Sequence, residues 1–268
     1  MQVTSSNSPE SGMSHSETRR EGLLDWDTGE MLNPEEVRML PELEAMLRPP
    51  EVPQPDYPPK MITLASGEVM VVREARRDEV DTLRSIIQPL TWLDRDFYDI
   101  VAARLSAEVL AWKVHRVRNE YVLVGVIDGV LAGIVNGRMF NEKLGVSYHT
   151  LTLKRGLRVG SHLFAAKMEH HIEFLNQDEV LIVAESPIGH RRWMIEYPLD
   201  KPEHEIQHEL GGTPSHVLTR ETYFKAKPRL VSGTRPVPDE LLAASNVIKE
   251  PDLSAMLVQV EDTVEARI

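Results

Sequence analysis

Residues 146–175 hold the pattern that most restricts how this chain can fold. Val146 to Leu153 alternates with the period of a strand, and Leu163 to Leu175 carries the spacing of an amphipathic helix. Between them runs Arg155-Gly156-Leu157-Arg158-Val159-Gly160-Ser161-His162. A strand that passes into a helix through a glycine-containing turn belongs to an α/β domain. The first backbone N–H groups of a helix lack internal partners and carry the positive end of its dipole. Glycine lets an anion come close to them. The segment therefore predicts a pyrophosphate site, with Leu153 leading in and Arg155, Gly156, Leu157, Arg158, Val159, Gly160 and Ser161 around it. The spacing is neither GxxxxGK[ST] nor GxGxxG.

Charge separates this region from its flanks. Residues 1–60 hold 5 Lys/Arg against 12 Asp/Glu, and residues 228–268 hold 4 against 7. The stretch 61–227 keeps 21 against 23, so most of the formal net charge of −12 belongs to the ends. No basic face favours nucleic acid. No run approaches the roughly 20 apolar residues of a bilayer span, so no membrane partner is expected. The absence of cysteine excludes disulfides and thiolate metal sites. With a polar, acidic N-terminus and no signal-like apolar segment, a cytoplasmic location is expected.

The chain divides by composition into an acidic, proline-rich region (1–60), an α/β domain (61–227), and a linker with a C-terminal strand (228–268). In the first, residues 34–48 predict a short helix capped by Asn33, and the prolines from Pro49 to Pro59 predict a stiff linker. The region reads as a tail or as a docking peptide anchored by Leu23, Leu24 and Trp26. In the second, strands are predicted at 69–73, 121–127, 130–139, 146–153, 180–184 and 216–224. Helices are predicted at 78–90, within 97–117 and at 163–175. Asp128-Gly129 marks a tight hairpin.

The turn resembles the Arg/Gln-x-x-Gly-x-Gly/Ala signature of the GCN5-related N-acetyltransferase (GNAT) family, which grips the pyrophosphate of acetyl-coenzyme A. Arg155, Gly156 and Gly160 fit it, Ser161 and Leu163 are typical companions, and Arg158 stands where the middle glycine is usual. The element order between about 68 and 225 is similar to the same family. The resemblance implies a mixed, largely antiparallel sheet flanked by helices. It implies acetyl-CoA or another acyl-CoA as donor, and transfer of an acetyl or short acyl group to an amine by direct attack. The acceptor would be an amine on a small molecule or a protein.

In that family the fourth and fifth strands, here 146–153 and 180–184, splay around the pantetheine arm. The usual acid is a tyrosine in Asn-x-x-Ala-x-x-x-Tyr. Here Ser186, Gly189 and Trp193 occupy those places, and Tyr197 lies one helical turn later. For the base, His149 is one candidate because its neutral form is available near pH 7. Glu185 is the other. Strand alternation places Tyr148 and His149 on opposite faces, so only one would look into the cleft. Arg158 and Trp193 leave a second reading open, a catalytically weak binding or assembly protein.

His204-Glu205-Ile206-Gln207-His208 reads as His-Glu-x-x-His, which on a helix can hold zinc through His204 and His208. It supports a third reading, a zinc metallohydrolase. Finally, 255–264 alternates like a strand and is expected to pair with a sheet edge, most usefully in a homodimer.

Overall fold

The computed structural model describes residues 53–93, 97–117, 119–183, 186, 193, 196–201 and 214–254. The expected helix at 34–48 and strand at 255–264 lie outside them. The strands are β1 (Lys60–Thr63), β2 (Val69–Glu74), β3 (Glu120–Ile127), β4 (Val130–Met139), β5 (Leu144–Thr152), β6 (Glu179–Val183) and β7 (Pro214–Thr219). The helices are α1 (Val80–Ile87), α2 (Tyr98–Lys113), α3 (Val159–Glu169), α4 (Arg220–Leu230) and α5 (Asp239–Ser245). The strands form one sheet in the order β1-β2-β3-β4-β5-β6-β7, with β5 and β6 the parallel pair and all other neighbours antiparallel. This is the mixed, largely antiparallel GNAT-like arrangement.

Period two sorts the core. Val122, Val124 and Val126 of β3 face α1 and α2, where Leu83, Ile86, Leu105 and Val109 bury. Tyr121, Leu123 and Ile127 face the opposite way, toward Val159, Leu163 and Ala166 of α3. The far side of α3 packs Phe164 and Met168 on β6, β7 and α4. Gly133 lets α3 sit close to the sheet, because a Cβ there would lie 2.7 Å from Leu163 and 2.9 Å from the Leu151 carbonyl.

Several elements differ from the sequence expectation, and α3 begins at Val159 rather than Leu163. The proline-rich segment ends in a real edge strand, β1, paired with β2. The strand expected at 216–224 stops at Thr219, whose hydroxyl accepts the Thr222 N–H at 3.2 Å and caps α4. Tyr223 is then buried by helical rather than strand geometry.

Residues 228–254, expected as a linker, return over the sheet. Thr234 exchanges main-chain hydrogen bonds with Met61 at 2.9 and 3.1 Å, covering the outer edge of β1. Lys249 does the same with Gly129 and Leu131 at 2.8 and 3.1 Å. Arg73 is buried, forks onto Glu79 at 2.6 and 2.9 Å, and reaches the Ser245 carbonyl at the end of α5.

Glu169, at the end of α3, ties this return to the N-terminal strand. Tyr57 donates to it at 2.6 Å, Lys60 at 2.8 Å, and Arg235 contacts both oxygens at 3.1 Å. Burial by itself would raise this carboxyl. The bonds from Arg235, Lys60 and Tyr57 outweigh it and hold Glu169 down to about 2. Because the folded value lies below the ordinary 4.5, this stabilisation is complete above about pH 5 and is lost as pH falls through about 2. Glu169→Gln should cost about 3–5 kcal/mol at neutral pH, since it leaves buried Lys60 without its counter-charge. Urea titration checks it. The difference between wild type and variant should shrink below about pH 4.

Candidate functional site

β5 and β6 pair from Leu144/Glu179 to Ser147/Ile182 and no further. β5 continues to Thr152, and among the described residues its last five have no parallel partner. At the point of parting the β4–β5 register shifts: Val135 faces Thr150, Gly137 faces Ser147, and Asn136 alone opposes both Tyr148 and His149. This is a β-bulge, which breaks the strict alternation of faces.

The bulge corrects the expectation that Tyr148 and His149 face opposite ways. Tyr148 packs with Leu181, Val183 and Val217, while His149 reaches Glu108 on α2. Both rings lie on the α1/α2 side, with centroids 6.1 Å apart and planes inclined by 30°. Side chains hold the bulged backbone. Asn136 Oδ1 accepts the His149 N–H at 3.1 Å. From the other face, Lys167 of α3 donates to the Tyr148 and His149 carbonyls at 3.2 and 3.0 Å and to Thr150 Oγ1 at 3.2 Å. Lys167 is fully buried.

His149 stands in a buried polar cluster. Its Nε2 is 3.0 Å from Glu108 Oε2. The Asn136 amide donates to Glu108 and, at 3.0 Å, to Glu120 Oε1. Burial and the neighbouring Glu108 carboxylate push the Glu120 carboxyl upward, because two desolvated carboxylates resist ionising together. Glu108 contributes a negative partner for a protonated His149.

The glycine turn leaves the end of β5 as expected. Leu153 is core, and its N–H goes to the Ala132 carbonyl at 2.9 Å. Arg155 lies over the Tyr98 ring at 5.0 Å. Gly156 has φ +85°, and no atom stands within 4 Å of where a Cβ would be. Leu157 and Val159 pack inward under α3. Arg158 is the N-cap and adopts φ 59°, ψ 22°, the left-handed conformation that glycine accepts most readily. Arg158 therefore holds a glycine-like backbone where the resembled signature has its middle glycine, and its side chain pairs with Glu196 at 2.8 Å. No side chain caps α3, and the buried Ser161 Oγ has no hydrogen-bond partner among the described residues. Uncapped donors and an orphan hydroxyl beside an open glycine fit an anionic group such as a pyrophosphate.

The remaining candidates lie in the core or outside the described residues. Tyr197 is buried in the core beside Phe164, with centroids 5.5 Å apart, and its hydroxyl has no partner among the described residues. Burial, then the Glu196 carboxylate, raise its pKa well above the ordinary phenol value. Trp193, at the place of the usual acid, stacks on Phe164 at 4.5 Å with planes 12° apart. Glu185, His204 and His208 lie outside the described residues. Among the described residues no cluster of three or more His, Asp or Glu is placed to hold a metal, and no helix is long and apolar enough to cross a membrane.

Sequence reasoning missed Glu108, Glu120, Asn136 and Lys167. Glu108, Asn136 and Lys167 had a signal, a polar residue among apolar neighbours, whereas Glu120 follows Arg118 and Asn119 and had none.

Gly160 is the tightest point of the turn, since a Cβ there would meet Thr152 Oγ1 at 2.5 Å. Gly160→Ala should destabilise the fold by about 1–3 kcal/mol through overpacking. Adding Thr152→Ala should recover most of that loss, which a double-mutant cycle in denaturant measures.

No protein-family model matches the chain, and no curated protein matches it. Similar solved structures include Mycobacterium smegmatis RimJ in complex with CoA-disulfide, at 10% identity over 66% of this chain and 96% of that one, with a TM-score of 0.46. FdhC, described as a nucleotide-linked sugar GNAT, is 9% identical over 66% and 98%, with a TM-score of 0.44. A SpeG spermidine N-acetyltransferase variant from Vibrio cholerae is 13% identical over 58% and 96%, with a TM-score of 0.40. The chain's own topology, with β5 and β6 its parallel pair and a glycine turn leading into α3, agrees with the arrangement that the sequence resemblance to the GCN5-related N-acetyltransferases implies.

Proposed function

We propose that the chain is an acyl-coenzyme A-dependent N-acyltransferase that moves an acetyl or short acyl group to an amine. The observation that carries this reading is the coincidence, along one strand, of the parted half of β5 and an uncapped, glycine-flanked helix N-terminus. Acyl-coenzyme A would supply the thioester that the amine attacks. The backbone donors of residues 157–162 and the Ser161 hydroxyl would hold its pyrophosphate. Arg158 contributes the left-handed turn and the tie to Glu196.

His149 is the best-placed base. The bulge turns it toward α2, and Glu108 offsets the charge it gains on accepting the amine proton. Tyr197 remains the candidate acid, a proton donor held neutral by burial. Glu185 stays an alternative base. The stacked Trp193 favours a second reading, a binding or assembly protein with weak catalysis. A cytoplasmic location and a homodimer through 255–264 belong to the same proposal.

Acetyl-CoA at 100 times its Kd should stabilise the protein by roughly 2.7 kcal/mol in a thermal-shift titration. Ser161→Asp places a carboxylate in the first turn of α3, where the helix dipole favours it. That variant should lose the shift, with circular dichroism confirming that it is folded. His149→Gln should keep acetyl-CoA binding while lowering kcat for coenzyme A release about 100-fold or more. No shift in wild type at millimolar acetyl-CoA overturns the proposal. An acetyl-CoA shift without turnover on any amine selects the binding protein.

A further inference from the structure

A cavity of about 300 Å³ opens where the segment 53–56 passes the end of β2 and the start of β3. Glu120 and Tyr121 begin β3, whereas α3 seats its first turns against Gly125 and Gly133 near the other end of the β3–β4 hairpin. The cavity is therefore distinct from the glycine turn. Its walls include Asp56, Glu74, Glu120, Arg77, Trp112 and Tyr121.

Two independent features mark it as a site. The first is charge. Among the described lining residues three carboxylates face one guanidinium, and that one is already engaged: Arg77 lies over the Trp112 ring at 4.5 Å and donates to the Trp112 carbonyl. Arg138, opposite Glu120 in the β3–β4 register, acts on that carboxyl from outside the lining. The second is unmet hydrogen bonding. Gln54 Nε2, Asn119 Oδ1 and Glu120 Oε2 all belong to lining residues, and none has a partner among the described residues. Glu120 is only 6% exposed, so its free oxygen is not satisfied by bulk water.

The chemistry of the walls selects the ligand. The acceptors Glu120 Oε2 and Asn119 Oδ1 call for N–H donors, and the carboxylates for positive charge. Trp112 and Tyr121 add aromatic surface suited to an aliphatic chain. The acids do not converge on a metal-binding cluster. The volume lies at the small end of ligand sites. We propose that this cavity binds a small aliphatic amine as its ammonium form, with the charge set against Glu74 and Glu120 and the chain against Trp112. Burial raises Glu74 to about 7, as expected of a carboxyl that lacks its counter-charge. Through Asn136, Glu120 is also joined to Glu108 and His149 on β5.

The test uses the full chain without acyl-coenzyme A, so its result does not depend on the proposed acyl transfer. Isothermal titration with 1,4-diaminobutane should give saturable one-to-one binding, and the neutral isostere 1,4-butanediol should give none. Glu74→Gln and Glu120→Gln should each weaken the diamine at least tenfold, whereas Ser161→Asp at the glycine turn should leave it unchanged. Glu74 is partly exposed, so its variant is expected to fold even where Glu120→Gln does not. No diamine binding at millimolar concentration overturns the proposal. So does binding that magnesium chloride of equal ionic strength abolishes and that Glu74→Gln leaves intact.

Discussion

Among the described residues β5 has no parallel partner after Ser147, so the groups on that edge must be satisfied by something other than a neighbouring strand. The structure answers with a bulge held by side chains: Asn136 takes the His149 N–H, and Lys167 takes the Tyr148 and His149 carbonyls. The rest of the candidate site follows from this. The bulge sends His149 toward Glu108 and resets the strand so that Leu151 and Leu153 rejoin the α1/α2 core. The strand end then carries the chain into the glycine turn and α3. Without the bulge, His149 would face away from Glu108 and the acid–base cluster would not form.

The interior carries an unusual load of charge for a domain whose central stretch is almost neutral. Lys60, Arg73, Glu79, Glu108, Glu120, Lys167 and Glu169 are all buried. Isolated buried charges are costly, so nearly all of these are paired or multiply hydrogen-bonded. Two clusters are structural in effect. Glu169 fastens the N-terminal strand, α3 and the returning C-terminal segment at one point, and Arg73 fastens α5 to β2 through Glu79 and Ser245. The third, around Glu120, keeps an unmatched carboxylate oxygen beside the cavity, and that imbalance sets it apart.

Much of the sheet was legible because its strands obey period two within long apolar runs. β4 was readable from Val130 to Met139 because Asp128-Gly129 fixes one end and the run that follows is largely apolar and buried on both faces from Leu131 to Gly137. The glycine turn was legible for a related reason: a left-handed position, an open glycine and a helix start leave local marks in sequence. Other elements left no such mark. β1 is four residues long and follows prolines, so its strand character comes from pairing with β2 and Thr234. At the β7–α4 junction no apolar period separates strand from helix, and only the Thr219 cap decides for the helix.

The chain by itself determined the alternation of strand and helix, the place of the α3 N-terminus, and the residues that could meet an anion there, because these depend on local periodicity and on backbone freedom at glycine. Tertiary structure decided which polar groups meet. Glu108, Asn136 and His149 are far apart in sequence, and only the stacking of α2 over β4 and β5 brings them together. It also decided the face of His149, since a bulge is a mismatch between two strands and cannot be read from either strand alone.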